Sequence, residues 1–240
     1  MSNQFFHFKQ FSIQQDRCAM KVGTDGVLIG AWVNLSDCDG SNMLDIGTGS
    51  GVIALMLAQR CKTAHIEAIE IDKEAACQAE GNALSSSFAS RINVKNVSLS
   101  DYTQNCNLHF KRIVSNPPYF KNSLKCPDNQ RSLARHSDTL SIQSLISTSA
   151  EMLAPDGHLA LILPFSQKEI LLQTAKKYKL FPVRITDVCS REGLQPKRIL
   201  IELSKKESET IEINQLVIEI SPLHFTSEYI QLTKDFYLKM

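Results

Sequence analysis

The run Asp45-Ile-Gly47-Thr48-Gly49-Ser50-Gly51 limits the fold of this 240-residue chain more than any other stretch. It begins within what reads as a short buried strand, residues 43–47, which runs into Thr48-Gly49-Ser50-Gly51. It precedes Val52, Ile53, Leu55, Met56 and Leu57, a cluster that reads as a helix. A glycine-rich turn between a buried strand and a helix opens a parallel βα unit. The same alternation continues downstream. Residues 65–71 read as a second strand ending at Glu70, and Asp72 caps a helix from Lys73 to about Ala83. Residues 92–97 and 112–115 read as the third and fourth strands, the latter stopped by Asn116-Pro117-Pro118-Tyr119. A helix over 141–153, a turn at Pro155-Asp156-Gly157 and a fifth strand over 158–163 follow. Ser166 with Glu169 suggests a capping box for a helix to Tyr178. Residues 182–189 and 198–204 are late strands, and 205–210 is a charged turn or loop. Strand and helix alternate at least four times, which predicts an α/β fold: a parallel sheet with helices on both faces. Residues 1–40, with turn signals at Gly23-Thr24-Asp25-Gly26, read as an extension packed on the core formed by 41–240.

Composition narrows the function classes. Hydrophobic residues at 43% against 21% charged exclude a disordered or collagen-like chain. The formal net charge of +1 gives no global basic field, so a nucleic-acid partner must be held by local patches. The first residues carry no signal-peptide pattern, and no apolar run approaches the ~20 residues needed to cross a bilayer. The seven cysteines are scattered without a CxxC pair, which indicates neither a zinc site nor a redox dithiol. A cytoplasmic protein with reduced thiols is expected, with no metal, membrane or obligate protein partner indicated.

Glycines let the backbone turn sharply and a ligand approach the main chain, and free N–H groups there suit a polar or anionic ligand. A plain strand–turn–helix cluster would look similar. The nicotinamide fingerprint G-x-G-x-x-G/A fails, because Val52 falls on its third small position. The spacing D-x-G-x-G-x-G instead resembles motif I of the Rossmann-like class I methyltransferases that use S-adenosylmethionine. Glu70 stands 19 residues after Gly51, where a carboxylate can accept both hydroxyls of a ribose. The resemblance implies a seven-stranded, mostly parallel sheet. It implies S-adenosylmethionine as cofactor, held by Asp45, Gly47, Thr48, Gly49, Gly51, Glu70, Ile71 and Asn116, with Asp101 at the adenine amine. Asp101 also reads as a solvated loop aspartate.

Asn116-Pro117-Pro118-Tyr119 ends the fourth strand, at the edge where open parallel sheets bind ligands. Asn-Pro is also an ordinary turn starter. The two prolines fix the backbone and leave carbonyls that no local N–H can pair. An amino group conjugated with a ring is a poor nucleophile. The Asn116 side-chain oxygen and the Pro117 carbonyl could both accept from it, orienting the nitrogen and stabilising its developing positive charge. Tyr119 could stack on a planar base. The tetrapeptide resembles the [DNS]PP[YFW] motif of amino-methyltransferases, which serves adenine N6, guanine N2 of ribosomal RNA, and release-factor glutamine. Asn116, Pro117, Pro118 and Tyr119 are therefore the candidate catalytic residues.

Further segments resemble one family along essentially the whole chain, the bacterial tRNA adenine-N6 methyltransferases that modify position 37 of a valine tRNA. They are Phe11–Gln15 with Met20–Trp32, Ala134-Arg135-His136, Gln195-Pro196-Lys197-Arg198 and Tyr229–Leu238. The helical N-terminal domain expected of release-factor enzymes is absent. The resemblance implies tRNA as partner and places Thr24 and Asp25 near the cofactor, although Gly23–Gly26 also reads as an ordinary turn. Candidate RNA contacts are Arg131, Arg135, Lys197 and Arg198, with Tyr119 at the base. His136 reads first as a locally hydrogen-bonded histidine, and Lys176, Lys177 and Lys179 form a further basic patch. Residues 120–139 read as a long surface loop with four basic side chains, of a length that suggests function.

Overall fold

The computed structural model describes residues 4–118 and 140–240. A hairpin of β1 (Phe5–His7) and β2 (Ser12–Gln14) leads to α1 (Thr24–Trp32). Then come β3 (Asn42–Ile46), α2 (Val52–Arg60), β4 (His65–Glu70), α3 (Lys73–Leu84), β5 (Ile92–Asn96), α4 (Leu99–Asn105) and β6 (Phe110–Ser115). After the segment that is not described come α5 (Ile142–Met152), β7 (Leu153–Pro164), α6 (Lys168–Lys177), β8 (Phe181–Arg191) and β9 (Arg198–Ser204). The chain closes with β10 (Glu212–Ser221), β11 (His224–Phe225) and α7 (Ser227–Thr233).

The main sheet has the order β11-β10-β8-β9-β7-β6-β3-β4-β5. Pairs among β3–β7 are parallel, β9 runs antiparallel to both β7 and β8, and β10 is parallel to β8. The α/β class stands, with nine strands in the main sheet among the described residues where seven were expected. The additional β10 is mostly exposed, so it lacks the apolar run by which buried parallel strands are recognised. The inner strands are buried on both faces. On β7, Ala160 and Ile162 join the core cluster of α1, α2 and the terminal segments. Leu159, Leu161 and Leu163 join the cluster of α4, α5 and α6 on the other face.

Three local expectations change. Gly23–Gly26 is the start of α1, not a free turn. Gly26 and Gly30, one helical turn apart, face α2: a Cβ on Gly26 would lie 3.3 Å from Val52 Cγ1, and one on Gly30 only 2.8 Å from Met56 Sδ. They are packing glycines that bring two helices together. Pro155-Asp156-Gly157 lies inside β7 as an irregularity, because Phe110 pairs with Leu153 but Arg112 with His158. The Ser166–Glu169 capping box does not form. Phe165–Gln167 is a 3₁₀ turn, and Gln167 starts α6 without a side-chain cap. A capping box exists instead at Ser141 and Ser144, opening α5, while Asp72 caps α3 as expected, accepting from Ala75 N at 2.8 Å.

Register aligns the carboxyl ends of the central strands. Ile46 is level with Ile69 and with Ser115, and Glu70 with Asn96. From β3 the chain proceeds outward through β4 to β5, then returns to lay β6 and β7 on the other side. The crevice between β3 and β6 is thus a topological switch point, where open α/β sheets bind ligands.

Candidate active site

The glycine loop turns over the end of β4. Gly47 N and Thr48 N both donate to the Ile69 carbonyl, at 2.9 and 3.0 Å. Gly47, Gly49 and Gly51 have φ of 71°, 55° and 85°, the left-handed region that side chains avoid. Space above Gly47 and Gly49 is open, whereas a Cβ on Gly51 would lie 3.4 Å from Ala79 of α3. The loop thus rests on α3 and presents its outer surface to the crevice. Gly51 starts α2 without a side-chain cap of its own; Asp45 takes the Ala54 amide of the first turn, and the amides before it are the ones that suit a polar ligand.

Asp45 is the buttress beneath this loop. Its Oδ2 accepts from Thr48 Oγ1 at 2.5 Å and from Ala54 N at 3.1 Å. Complete burial pushes its pKa up to about 7, against the pull of those two hydrogen bonds. Its Oδ1 has no hydrogen-bond partner among the described residues. Glu70 is held from the other side: Gly49 N donates to Oε2 at 2.9 Å and Asp72 N to Oε1 at 3.0 Å. Each oxygen has a further lone pair to offer. Ile71, next along, is 51% exposed, an apolar surface beside the carboxylate.

Asn116 stands one residue beyond Ser115, whose hydroxyl donates to the Ile46 carbonyl at 2.7 Å and ties β6 to β3. The Asn116 Oδ1 is buried without a hydrogen-bond partner among the described residues. A buried carbonyl left unpaired is costly. Pro117 is buried and Pro118 exposed.

The remaining candidates divide. Asp101 is on the first turn of α4, where its Oδ2 accepts from Ser98 Oγ at 2.7 Å and its N donates to the same oxygen at 3.1 Å. It belongs to a helix cap, not a loop. Thr24 and Asp25 open α1, and Asp25 Oδ2 accepts from Arg198 Nε at 2.8 Å. A residue expected at the cofactor is therefore ion-paired with one expected at RNA. The neighbouring Lys197 carbonyl accepts from Phe165 N at 3.1 Å. Tyr119, Arg131, Arg135 and His136 lie outside the described residues. Lys176, Lys177 and Lys179 precede Phe181, which pairs with Ser204. That edge of the sheet is opposite the crevice, so they do not join the site.

The sequence reading passed over Gln78 and Asn82. They are buried polar side chains one turn apart on the alanine-lined face of α3, between Ala75, Ala79 and Ala83. That spacing was the available signal.

Comparison with known proteins agrees with the geometry. Residues 28–180 match the family model of the methyltransferase small domain. A tRNA1(Val) (adenine(37)-N6)-methyltransferase of Parabacteroides distasonis is 49% identical over 240 residues, all of both chains. One of that name from Trichodesmium erythraeum is 45% identical over 241 aligned positions, again covering both completely. The solved structure of the Agrobacterium tumefaciens protein Atu636 superposes with a TM-score of 0.69 at 20% identity, covering 88% of this chain and 96% of that one. A precorrin-6y C5,15-methyltransferase of Geobacter metallireducens gives 0.54 at 14%, covering 82% and 94%. At those identities the two structures speak for the fold alone. With a glycine loop at the switch point, an acidic residue ending the next strand, and relatives matched from end to end, the chain belongs to the methyltransferase small domain family and, within it, to the tRNA1(Val) (adenine(37)-N6)-methyltransferases.

Proposed function

We propose that this chain transfers a methyl group from S-adenosylmethionine to N6 of adenosine 37 in a valine tRNA. The observation that carries the chemistry is the Oδ1 of Asn116 at the switch point, buried and without a partner among the described residues. An exocyclic amine is a donor of the kind this oxygen lacks. The choice of adenosine 37 follows the printed names of the full-length relatives.

The residues present fit the cofactor. Glu70, fixed by two backbone amides, would accept the ribose hydroxyls. The open faces of Gly47 and Gly49 admit a ligand against the main chain, Asp45 and Thr48 hold that loop in shape, and Ile71 offers an apolar face to the adenine. Asp101 would face the adenine amine, and Thr24 and Asp25 would border the cofactor from α1. S-adenosylmethionine supplies a sulfonium-activated methyl group when bound.

Asn116 Oδ1 and the Pro117 carbonyl would accept the two amine hydrogens of the adenine, aiming N6 and stabilising the positive charge that grows on it. The proton leaves after attack, so no strong general base is needed. Pro118 keeps the segment rigid, and Tyr119 is the expected stacking partner of the base. Lys197, Arg198, Arg131 and Arg135 would meet the phosphates. A base in an anticodon loop is unpaired and can be turned outward at small cost. The chain acts as one methyltransferase unit, its first 40 residues packing on the core, in the cytoplasm where tRNA is found. No helix among the described residues is long and apolar enough to cross a membrane.

The test is methyl transfer from labelled S-adenosylmethionine to total RNA from cells lacking the modification, followed by digestion to nucleosides. Label in N6-methyladenosine of the tRNA fraction is expected. Label in a methylguanosine, or only in added release-factor protein, would overturn the choice of acceptor.

A further inference from the structure

The segment from β2 to α1 is tied down by side-chain amides. Asn82, on α3 and 5% exposed, accepts from Gln14 N at 2.8 Å through Oδ1. Its Nδ2 donates to the Gln14 carbonyl and to the Ser50 carbonyl, each at 2.9 Å. Both amide hydrogens are used, which fixes the orientation of the group. One turn earlier, Gln78 accepts from Arg17 N at 3.0 Å and donates to Asp16 Oδ1 at 2.6 Å. Gln15 Oε1 then accepts from Val22 N at 2.8 Å, just before Gly23 begins α1. Residues 14–23 form a strap. Arg17 Nη1 of the strap lies 3.9 Å from Glu74 Oε2 on the first turn of α3, four residues beyond Glu70. The strap therefore reaches the start of α3, close in sequence to the carboxylate expected to hold the ribose.

Ser50 belongs to the glycine loop, and Gly51 rests on Ala79 of the same helix face. Through one side chain, the strap and the loop share an anchor. We infer that Asn82 is a positioning residue for cofactor binding, locking the strap and the glycine loop into one unit around the S-adenosylmethionine pocket. The inference rests on the functional reading above. Gln78 holds the strap at Asp16 and Arg17 and bonds no atom of the glycine loop among the described residues, so its loss should act in the same direction but less.

The decisive variant is Asn82→Asp, which keeps the shape and the acceptor to Gln14 N. It replaces both donors by an oxygen facing two carbonyls. S-adenosylhomocysteine binding is measured by calorimetry on the full chain, with methyl-transfer kinetics alongside. Wild type should bind. Asn82→Asp should bind about 10- to 100-fold more weakly, with a matching rise in KM for S-adenosylmethionine. Its kcat at saturating cofactor should stay within about threefold, since no reacting atom is touched. Lowering the pH should restore part of the affinity, because a protonated carboxyl regains one donor. Gln78→Ala is the milder variant should Asn82→Asp not fold, and about a threefold to tenfold weakening is expected. Amide exchange on wild type gives an independent readout: S-adenosylhomocysteine should slow exchange at Gln14 and Arg17. Equal affinity in wild type and the variants, or a fall in kcat with unchanged KM, would overturn the inference and leave the functional reading standing. A wild-type chain that binds no S-adenosylhomocysteine would overturn both.

Discussion

Replacing Asn116 by alanine should separate activity from stability. The Oδ1 of this side chain is buried with no hydrogen-bond partner among the described residues, a condition that costs about 1–3 kcal/mol. Deleting it removes that penalty. The same truncation gives up the packing of a half-buried side chain, about 1 kcal/mol or somewhat more. The two effects oppose each other, so folding stability should change by no more than about 1 kcal/mol. Turnover has no such compensation. Losing one preorganised group that meets developing charge costs about 10²- to 10³-fold in kcat. Asn116→Asp keeps an acceptor oxygen in the same place and should retain more activity than Asn116→Ala. The assay is single-turnover methyl transfer to unmodified tRNA at saturating S-adenosylmethionine, paired with urea unfolding. Near-normal turnover in Asn116→Ala would refute the acceptor clamp. A stability loss of several kcal/mol with a proportionate activity loss would show that Asn116 is a structural residue instead.

Three further predictions concern the rest of the site and its scaffold. Glu70→Ala should weaken S-adenosylhomocysteine binding about 10- to 100-fold, because a fixed charged acceptor is lost; calorimetry against kcat at saturation checks that binding suffers more than turnover. Asp45, whose pKa burial raises to about 7 in the folded chain, holds a proton that the unfolded chain releases near pH 4. Its contribution is fully present below about pH 4 and is lost as pH rises through about 7, so stability relative to Asp45→Asn should fall by about 4 kcal/mol across that window; a pH-independent difference in urea unfolding would contradict this. Gly157→Ala would place a Cβ 2.6 Å from the Phe110 carbonyl, and thermal unfolding should show a loss of about 2–3 kcal/mol with cofactor affinity unchanged.

The parts legible in the sequence are those with strong local codes. The strand–glycine–helix order around Asp45–Gly51, the capping Asp72 and the double proline after Ser115 each carry a signal within a few residues. Strand β9 was legible to the residue, because Ile199-Leu200-Ile201 with Leu203 forms a dense apolar cluster, rich in β-branched side chains, between polar flanks. The failures occur where tertiary context decides. Gly23–Gly26 looked like a turn because glycine was read for its φ freedom, whereas Gly26 and Gly30 are small for the sake of α2. β10 stayed invisible because most of its residues face solvent. Asp25 and Arg198 lie 173 positions apart, and no single-sequence rule pairs them. Asn82 likewise bonds Gln14 across 68 positions and Ser50 across 32. Its meaning appears only once the strap and the loop meet over one helix.

The central claim is tested most directly by transferring label from S-adenosylmethionine to two valine tRNA transcripts, one with adenosine and one with guanosine at position 37. The account predicts stoichiometric N6-methyladenosine in the first and none in the second. Equal labelling of both transcripts, or of neither, would contradict it.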